Sequence, residues 1–150
     1  STRVRSSAAS DVYKRQLQAH GYEVISTDLI YRGFGDPEPL DFLKETLDDF
    51  EGDIITNPPY SMGLEFVQRA LESVRPGGKV AMFLKVQFLE GQKRGEFFRH
   101  TPPRKVYISR SRLACYKNGD MTGKPESAIA YAWYVWEKSF TGDPVIKWFN

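Results

Sequence analysis

Asp53-Ile54-Ile55-Thr56-Asn57-Pro58-Pro59-Tyr60 is the stretch that decides how this chain folds. Asp53 to Thr56 reads as a short apolar strand. The Pro-Pro pair then stops it, because proline cannot donate to a strand ladder and restricts the residue before it. Immediately downstream, Leu64, Val67, Leu71 and Val74 recur at spacings of three and four, the period of a helix with one apolar face. Arg75-Pro76-Gly77-Gly78 ends that helix, and Lys79 to Val86 reads as the next strand. Strand, helix and strand joined by short connections predict a parallel sheet layered with helices. Asn57 to Tyr60 then falls on the carboxyl edge of the sheet, where such folds bind ligands. With proline near 5% of residues, a chance match to Asn-Pro-Pro-Tyr in a chain of this size is on the order of one in a thousand or rarer.

Working outward towards the amino terminus, Leu17 to His20 reads as a helix end and Gly21 as its stop. Tyr22 to Thr27 reads as a strand carrying β-branched Val24 and Ile25. Asp28 sits at that strand's carboxyl end. A loop rich in glycine and proline, Arg32 to Pro39, leads to a short helix around Leu40 to Leu47. Residues Ser1 to Gln16 are polar with no sustained apolar period, so 1–16 is expected to be a disordered or non-native lead and 17–150 the folded domain. The string from Ser7 to Gln16 resembles translated adapter or vector sequence.

Towards the carboxyl terminus, a basic helical segment spans Gly91 to His100, Pro102-Pro103 breaks it, and Lys105 to Ser109 forms a strand. Ser127 to Glu137 is apolar on both alternating faces and belongs inside the sheet. Thr141-Gly142-Asp143 is expected to turn it into Pro144 to Phe149 as an antiparallel hairpin.

The whole chain of 150 residues, 41% hydrophobic and 27% charged, fits one globular domain. Its longest apolar run, Ala128 to Trp136, is far below the roughly 20 residues that cross a bilayer, and no signal-peptide pattern opens the chain. A cytoplasmic location with no membrane partner is expected. One cysteine, Cys115, and two distant histidines, His20 and His100, disfavour a disulfide scaffold and a zinc module, so no metal is expected. The net charge of +2 conceals an asymmetry: Asp28 to Asp53 carries −7 and Lys93 to Lys124 carries +7. The basic stretch interleaves Lys93, Arg94, Arg99, Arg104, Lys105, Arg110, Arg112, Lys117 and Lys124 with Phe97, Phe98, Tyr107 and Tyr116. That composition suits phosphate contacts with stacking nearby, although the aromatic rings taken singly read as core covered by cationic stems.

From Leu17 to Asn150 the sequence resembles the S-adenosylmethionine-dependent amino-methyltransferases, most closely the DNA adenine-N6 methyltransferases, including small ones from phages and prophages. The resemblance implies a Rossmann-like α/β fold and an acceptor site made by Asn57, Pro58, Pro59 and Tyr60. The lone pair of an exocyclic amine is delocalised into the ring, which makes the amine a poor nucleophile. Two carbonyl acceptors, from the Asn57 side chain and the Pro58 main chain, would favour pyramidal nitrogen, and Tyr60 would stack a base that has left the duplex. The prolines hold these acceptors in place beforehand. By the same resemblance Asp28 would accept the cofactor's ribose hydroxyls, Leu29 would pack on its adenine, and Asp41-Phe42 would contact the adenine amino group and ring. An aspartate after a strand is equally a turn former or helix cap.

The sequence departs from the family in one respect: Ser1 to Gln16 contains no glycine, so the glycine-rich loop that cradles the cofactor's methionine end, and the first strand before it, are expected to be missing. Three alternatives use the same residues. The Asn-Pro-Pro-Tyr loop also serves RNA and protein-glutamine methyltransferases, and a truncated fragment could bind nucleic acid without catalysis. A dinucleotide-binding domain is disfavoured because no phosphate-binding fingerprint precedes Asp28.

Overall fold

The computed structural model describes residues 3–7, 11–27, 40–45, 48–111 and 129–150. Seven strands form one sheet: β1 (Arg3–Ser7), β2 (Glu23–Thr27), β3 (Gly52–Thr56), β4 (Lys79–Lys85), β5 (Lys105–Ser109), β6 (Tyr131–Glu137) and β7 (Val145–Phe149). Their order is β2-β1-β3-β4-β6-β5-β7. Strands β1, β2, β3 and β4 pair in parallel, β6 runs antiparallel between β4 and β5, and β7 pairs in parallel with β5. Three helices, α1 (Asp11–Ala19), α2 (Gly63–Ser73) and α3 (Gln92–His100), accompany the sheet. This is the mixed α/β architecture that the β3-α2-β4 pattern predicted.

The core lies between α2, α3 and the centre of the sheet. Ile54 of β3, Val80, Met82 and Leu84 of β4, and Ala132, Tyr134 and Trp136 of β6 are buried there against Val67, Ala70 and Leu71 of α2. Alternation along β4 buries every second residue, and β6 follows the same period. Phe88 joins them edge-on to Tyr134 and Trp136, at centroid distances of 5.5 and 6.5 Å. The Trp136 indole nitrogen donates to the Thr101 carbonyl, so its one polar atom is satisfied inside the core.

Three expectations are corrected. The first strand is not missing: Arg3–Ser7 forms β1, between β2 and β3. Its apolar signal is a single residue, Val4, which is 2% exposed. The next residue, Arg5, is buried in an ion pair with Glu45, an arrangement that no apolar period announces. The terminal hairpin does not form either, because β5 lies between β6 and β7. The chain reverses after Glu137 as expected, but both edges of β6 are already occupied by β4 and β5, so β7 pairs with the far edge of β5. Finally, the described part of Leu40 to Leu47 is a turn, closed by Lys44 and Glu45 amides donating to the Asp41 carbonyl at 2.9 and 3.1 Å.

Trp136 is fully buried, packs against Phe88 and Tyr134, and has no room-preserving substitute among small residues. Trp136→Ala should destabilise the fold by about 3–5 kcal/mol. Urea unfolding followed by circular dichroism measures this as a lower midpoint at similar slope.

Candidate functional site

The site is built where β3 ends. The parallel ladder of β3 and β4 (Ile54 with Val80, Thr56 with Met82) brings both strands to the same rim, so Asn57 and Lys85 emerge on the same side of the sheet. Pro58 is buried, whereas Asn57, Pro59 and Tyr60 are exposed. A single 3-10 turn, Tyr60–Met62, then feeds directly into α2. Gly63 makes this entry possible: a Cβ there would lie 3.0 Å from Phe88 Cε2 and 3.2 Å from Leu84 Cδ2. The helix therefore starts pressed against the end of β4, and the motif cannot swing away from the rim without breaking that contact.

Tyr60 is 42% exposed, and the Lys85 ammonium lies over its ring at 5.1 Å from the centroid. Below Lys85, the Tyr134 hydroxyl is within hydrogen-bonding distance of two carbonyls, those of Lys85 at 3.0 Å and Val86 at 3.2 Å. Burial pushes the Tyr134 phenol well above its ordinary value, the nearby Tyr60 phenol adds to that, and Arg94 opposes it. Arg94 itself closes the segment after β4, donating from Nε to the Phe88 carbonyl at 2.8 Å and lying over the Phe88 ring at 5.3 Å. The rim beside the motif is thus fixed from underneath by β6 and from one side by α3.

The residues expected to hold a cofactor distribute differently. Asp28 and Leu29 lie outside the described residues. The strand that leads to them ends in Ser26 and Thr27, both buried, whose hydroxyls have no hydrogen-bond partner among the described residues. The Asp41 carboxylate accepts from the Leu43 amide at 3.2 Å and pairs with Lys44 at 3.2 Å, so it acts as a turn former here. Phe42 is 4% exposed and stacks on Phe66 of α2 at 5.2 Å, which puts it in the core. The structure therefore brings Asn57 to Tyr60 together at one rim and adds Lys85 and Tyr134, which the sequence reading did not single out. A lysine closing an apolar strand is the signal that could have found the first.

The basic stretch is less of an array than its composition suggests. Arg99 pairs with Glu96, Arg104 with Glu137, and Arg110 donates to the carbonyl of Asn150. Phe97 and Phe98 pack against the core. Arg112, Tyr116, Lys117 and Lys124 lie outside the described residues. Two clefts, of about 410 and 650 Å³, open near His100 and the Lys138–Pro144 connection, at the rim opposite the motif. Their linings include none of the motif residues.

No protein-family model and no curated protein matches the sequence. Solved structures do match the fold. A protein described as a class I S-adenosylmethionine-dependent methyltransferase from Listeria monocytogenes superposes with a TM-score of 0.61 at 12% identity, over 99% of this chain and 59% of its own. A type I restriction-modification system methyltransferase subunit from Streptococcus thermophilus gives 0.60 at 14% identity, over 92% of this chain and 40% of its own. A protein described as an RNA methyltransferase from Pyrococcus horikoshii gives 0.56 at 15% identity, over 92% and 75%. The chain thus spans 40–59% of the length of the first two. Its fold is the Rossmann-like fold of class I methyltransferases. Among the described residues no helix is long and apolar enough to cross a membrane.

Two outcomes are expected at this rim. Gly63→Ala should push α2 outward and destabilise the domain by about 1–3 kcal/mol, read by urea unfolding. Above pH 10, the ordinary phenol value, the unfolded chain ionises Tyr134 while the folded chain keeps it neutral. Stability should therefore fall progressively as pH rises beyond 10. In Tyr134→Phe the slope of unfolding free energy against pH should be shallower there.

Proposed function

We propose that this chain is an S-adenosylmethionine-dependent methyltransferase domain that methylates the N6 amine of adenine in DNA through Asn57, Pro58, Pro59 and Tyr60. The observation that carries the reading is the placement of Asn-Pro-Pro-Tyr on the carboxyl rim of a class I methyltransferase fold, with Pro58 buried and Asn57 and Tyr60 exposed. The type I restriction-modification subunit among the structural neighbours supports DNA as the carrier of the amine.

When bound, S-adenosylmethionine supplies an activated methyl on a sulfonium, so the amine needs no strong base beforehand. The residues of the chain act on the acceptor. The Asn57 side-chain carbonyl and the Pro58 main-chain carbonyl take the two N–H bonds, which favours a pyramidal nitrogen with its lone pair free. Burial of Pro58 and the fixed φ of both prolines keep these acceptors from relaxing when substrate is absent. Tyr60 offers a ring face to the extrahelical base.

Residues present fit the adenosine half of the cofactor: the Ser26 and Thr27 hydroxyls, without a hydrogen-bond partner among the described residues, stand at the strand end that leads to Asp28 and Leu29. In this reading Asp28 takes the ribose hydroxyls and Leu29 the adenine face, whereas Asp41 and Phe42 shape the turn and the core. The connection between β1 and α1, Ala8-Ala9-Ser10, contains no glycine, so the methionine end is held by other means or weakly. A second reading, transfer to RNA, has the Pyrococcus horikoshii neighbour in its favour.

Calorimetric titration of the 150-residue chain with S-adenosylhomocysteine tests the cofactor site directly. Saturable binding is expected, and its absence in a folded sample would overturn the activity for this chain. Asn57→Ala should lower kcat by about 100-fold or more while leaving S-adenosylhomocysteine affinity within a factor of about two. Tritiated methyl transfer compared across adenine-containing DNA, RNA and a glutamine peptide identifies the acceptor.

A further inference from the structure

We infer that Lys85 is a positioning residue of the Asn57–Tyr60 site: it holds one face of the Tyr60 ring, so that a planar substrate group stacks on the other. The inference rests on reading Asn57–Tyr60 as the acceptor site. Tyr60 stands on a single 3-10 turn and is 42% exposed, a place where a phenol ring would ordinarily rotate among several rotamers. The Lys85 ammonium, 5.1 Å from the ring centroid, restricts that freedom and covers one of the two faces.

Lys85 can do this because its own backbone is anchored. It is the last residue of β4, paired with Tyr131 of β6, and its carbonyl lies 3.0 Å from the Tyr134 hydroxyl. Tyr134 is fixed in turn between Phe88, edge-on at 5.5 Å, and Trp136, stacked at 5.8 Å. A line of contacts therefore runs from the aromatic core through Lys85 to the exposed ring of the motif. Its effect is to immobilise Tyr60 before substrate arrives. The ordering cost is then met during folding and not on binding. An exposed cation–π contact changes an equilibrium about two- to fivefold, which sets the size of the effect to be measured.

The test uses the full 150-residue chain with Lys85→Met, which keeps the stem and removes the charge, and Lys85→Arg, which keeps a cation able to lie over the ring. The first readout needs no substrate. In protein labelled with carbon-13 on its tyrosine rings, the Tyr60 signals, assigned through Tyr60→Phe, should shift in Lys85→Met and return towards wild type in Lys85→Arg. Tyr107 signals should stay in place in both. Unmoved Tyr60 signals in Lys85→Met would overturn the proposal.

The second readout is methyl transfer to an adenine-containing oligonucleotide. KM should rise about two- to fivefold in Lys85→Met, with kcat within about twofold of wild type, equally at low and high salt. Lys85→Arg should restore KM. A KM effect that disappears at high salt would overturn positioning and make Lys85 a phosphate contact instead. If the wild-type chain methylates no acceptor while the Tyr60 signals shift as expected, the acceptor-site reading fails and the hold of Lys85 on the ring stands.

Discussion

The parallel pairing of β3 with β4 is the constraint on which the rest of this structure depends. Two parallel neighbours cannot be joined by a tight turn, so the chain must travel back along the sheet before β4 can begin. Helix α2 makes that return, and it buries Val67, Ala70 and Leu71 against β3 and β4 as it does so. The entry to the helix is therefore compelled to sit at the carboxyl rim, pressed on Leu84 and Phe88 through Gly63. Asn57 to Tyr60 occupies the few residues between strand and helix. Its position is a consequence of crossover geometry, and its stiffness is a consequence of two prolines in that short connection.

The second half of the sheet serves the first. Strand β6 is antiparallel and central, and its Tyr134 and Trp136 form an aromatic layer with Phe88. Tyr134 is buried, but its hydroxyl reaches the last carbonyl of β4, so the layer that stabilises the fold also fixes the strand end beside the motif. Arg94 completes the arrangement from α3 by binding the Phe88 carbonyl and lying over its ring. Packing and site are one construction here: a change that loosens Tyr134 or Phe88 loosens the rim as well.

Much of this was legible in the sequence because the relevant signals are local. The apolar period of α2, the strand before Asn57 and the glycine stops at Gly21 and Gly77, both at positive φ, announce themselves within a few residues. What was not legible is non-local. Strand β1 carries only Val4 as an apolar signal, and its buried Arg5 is tolerated by Glu45, some forty positions away. The place of β7 beyond β5 depends on which sheet edge is still open, a property of the assembled sheet that no turn sequence encodes. Phe42 looks the same in sequence whether it faces a ligand or Phe66, and only packing decides for the core. Lys85 escaped notice because a lysine closing a strand is ordinary until the ring it covers is seen.

The described cations of the basic stretch divide between the two rims of the sheet. Taken as a string, Lys93 to Lys124 promises a broad cationic surface, yet Arg99 and Arg104 are paired with carboxylates, and Arg104 stands at the rim opposite the motif. Charge already compensated within the protein contributes little to attracting a polyanion. By contrast, β5 runs parallel to β4, so its carboxyl end, with Arg110 beyond it, opens on the same rim as Asn57 and Lys85. The described residues that flank 112–128, Ser111 and Ile129, stand on that rim too, and the Val86 amide donates to the Ala130 carbonyl beside them. Topology therefore divides the described cations: Arg110, beyond the end of β5, shares the rim of the motif, and Arg104, just before β5, does not.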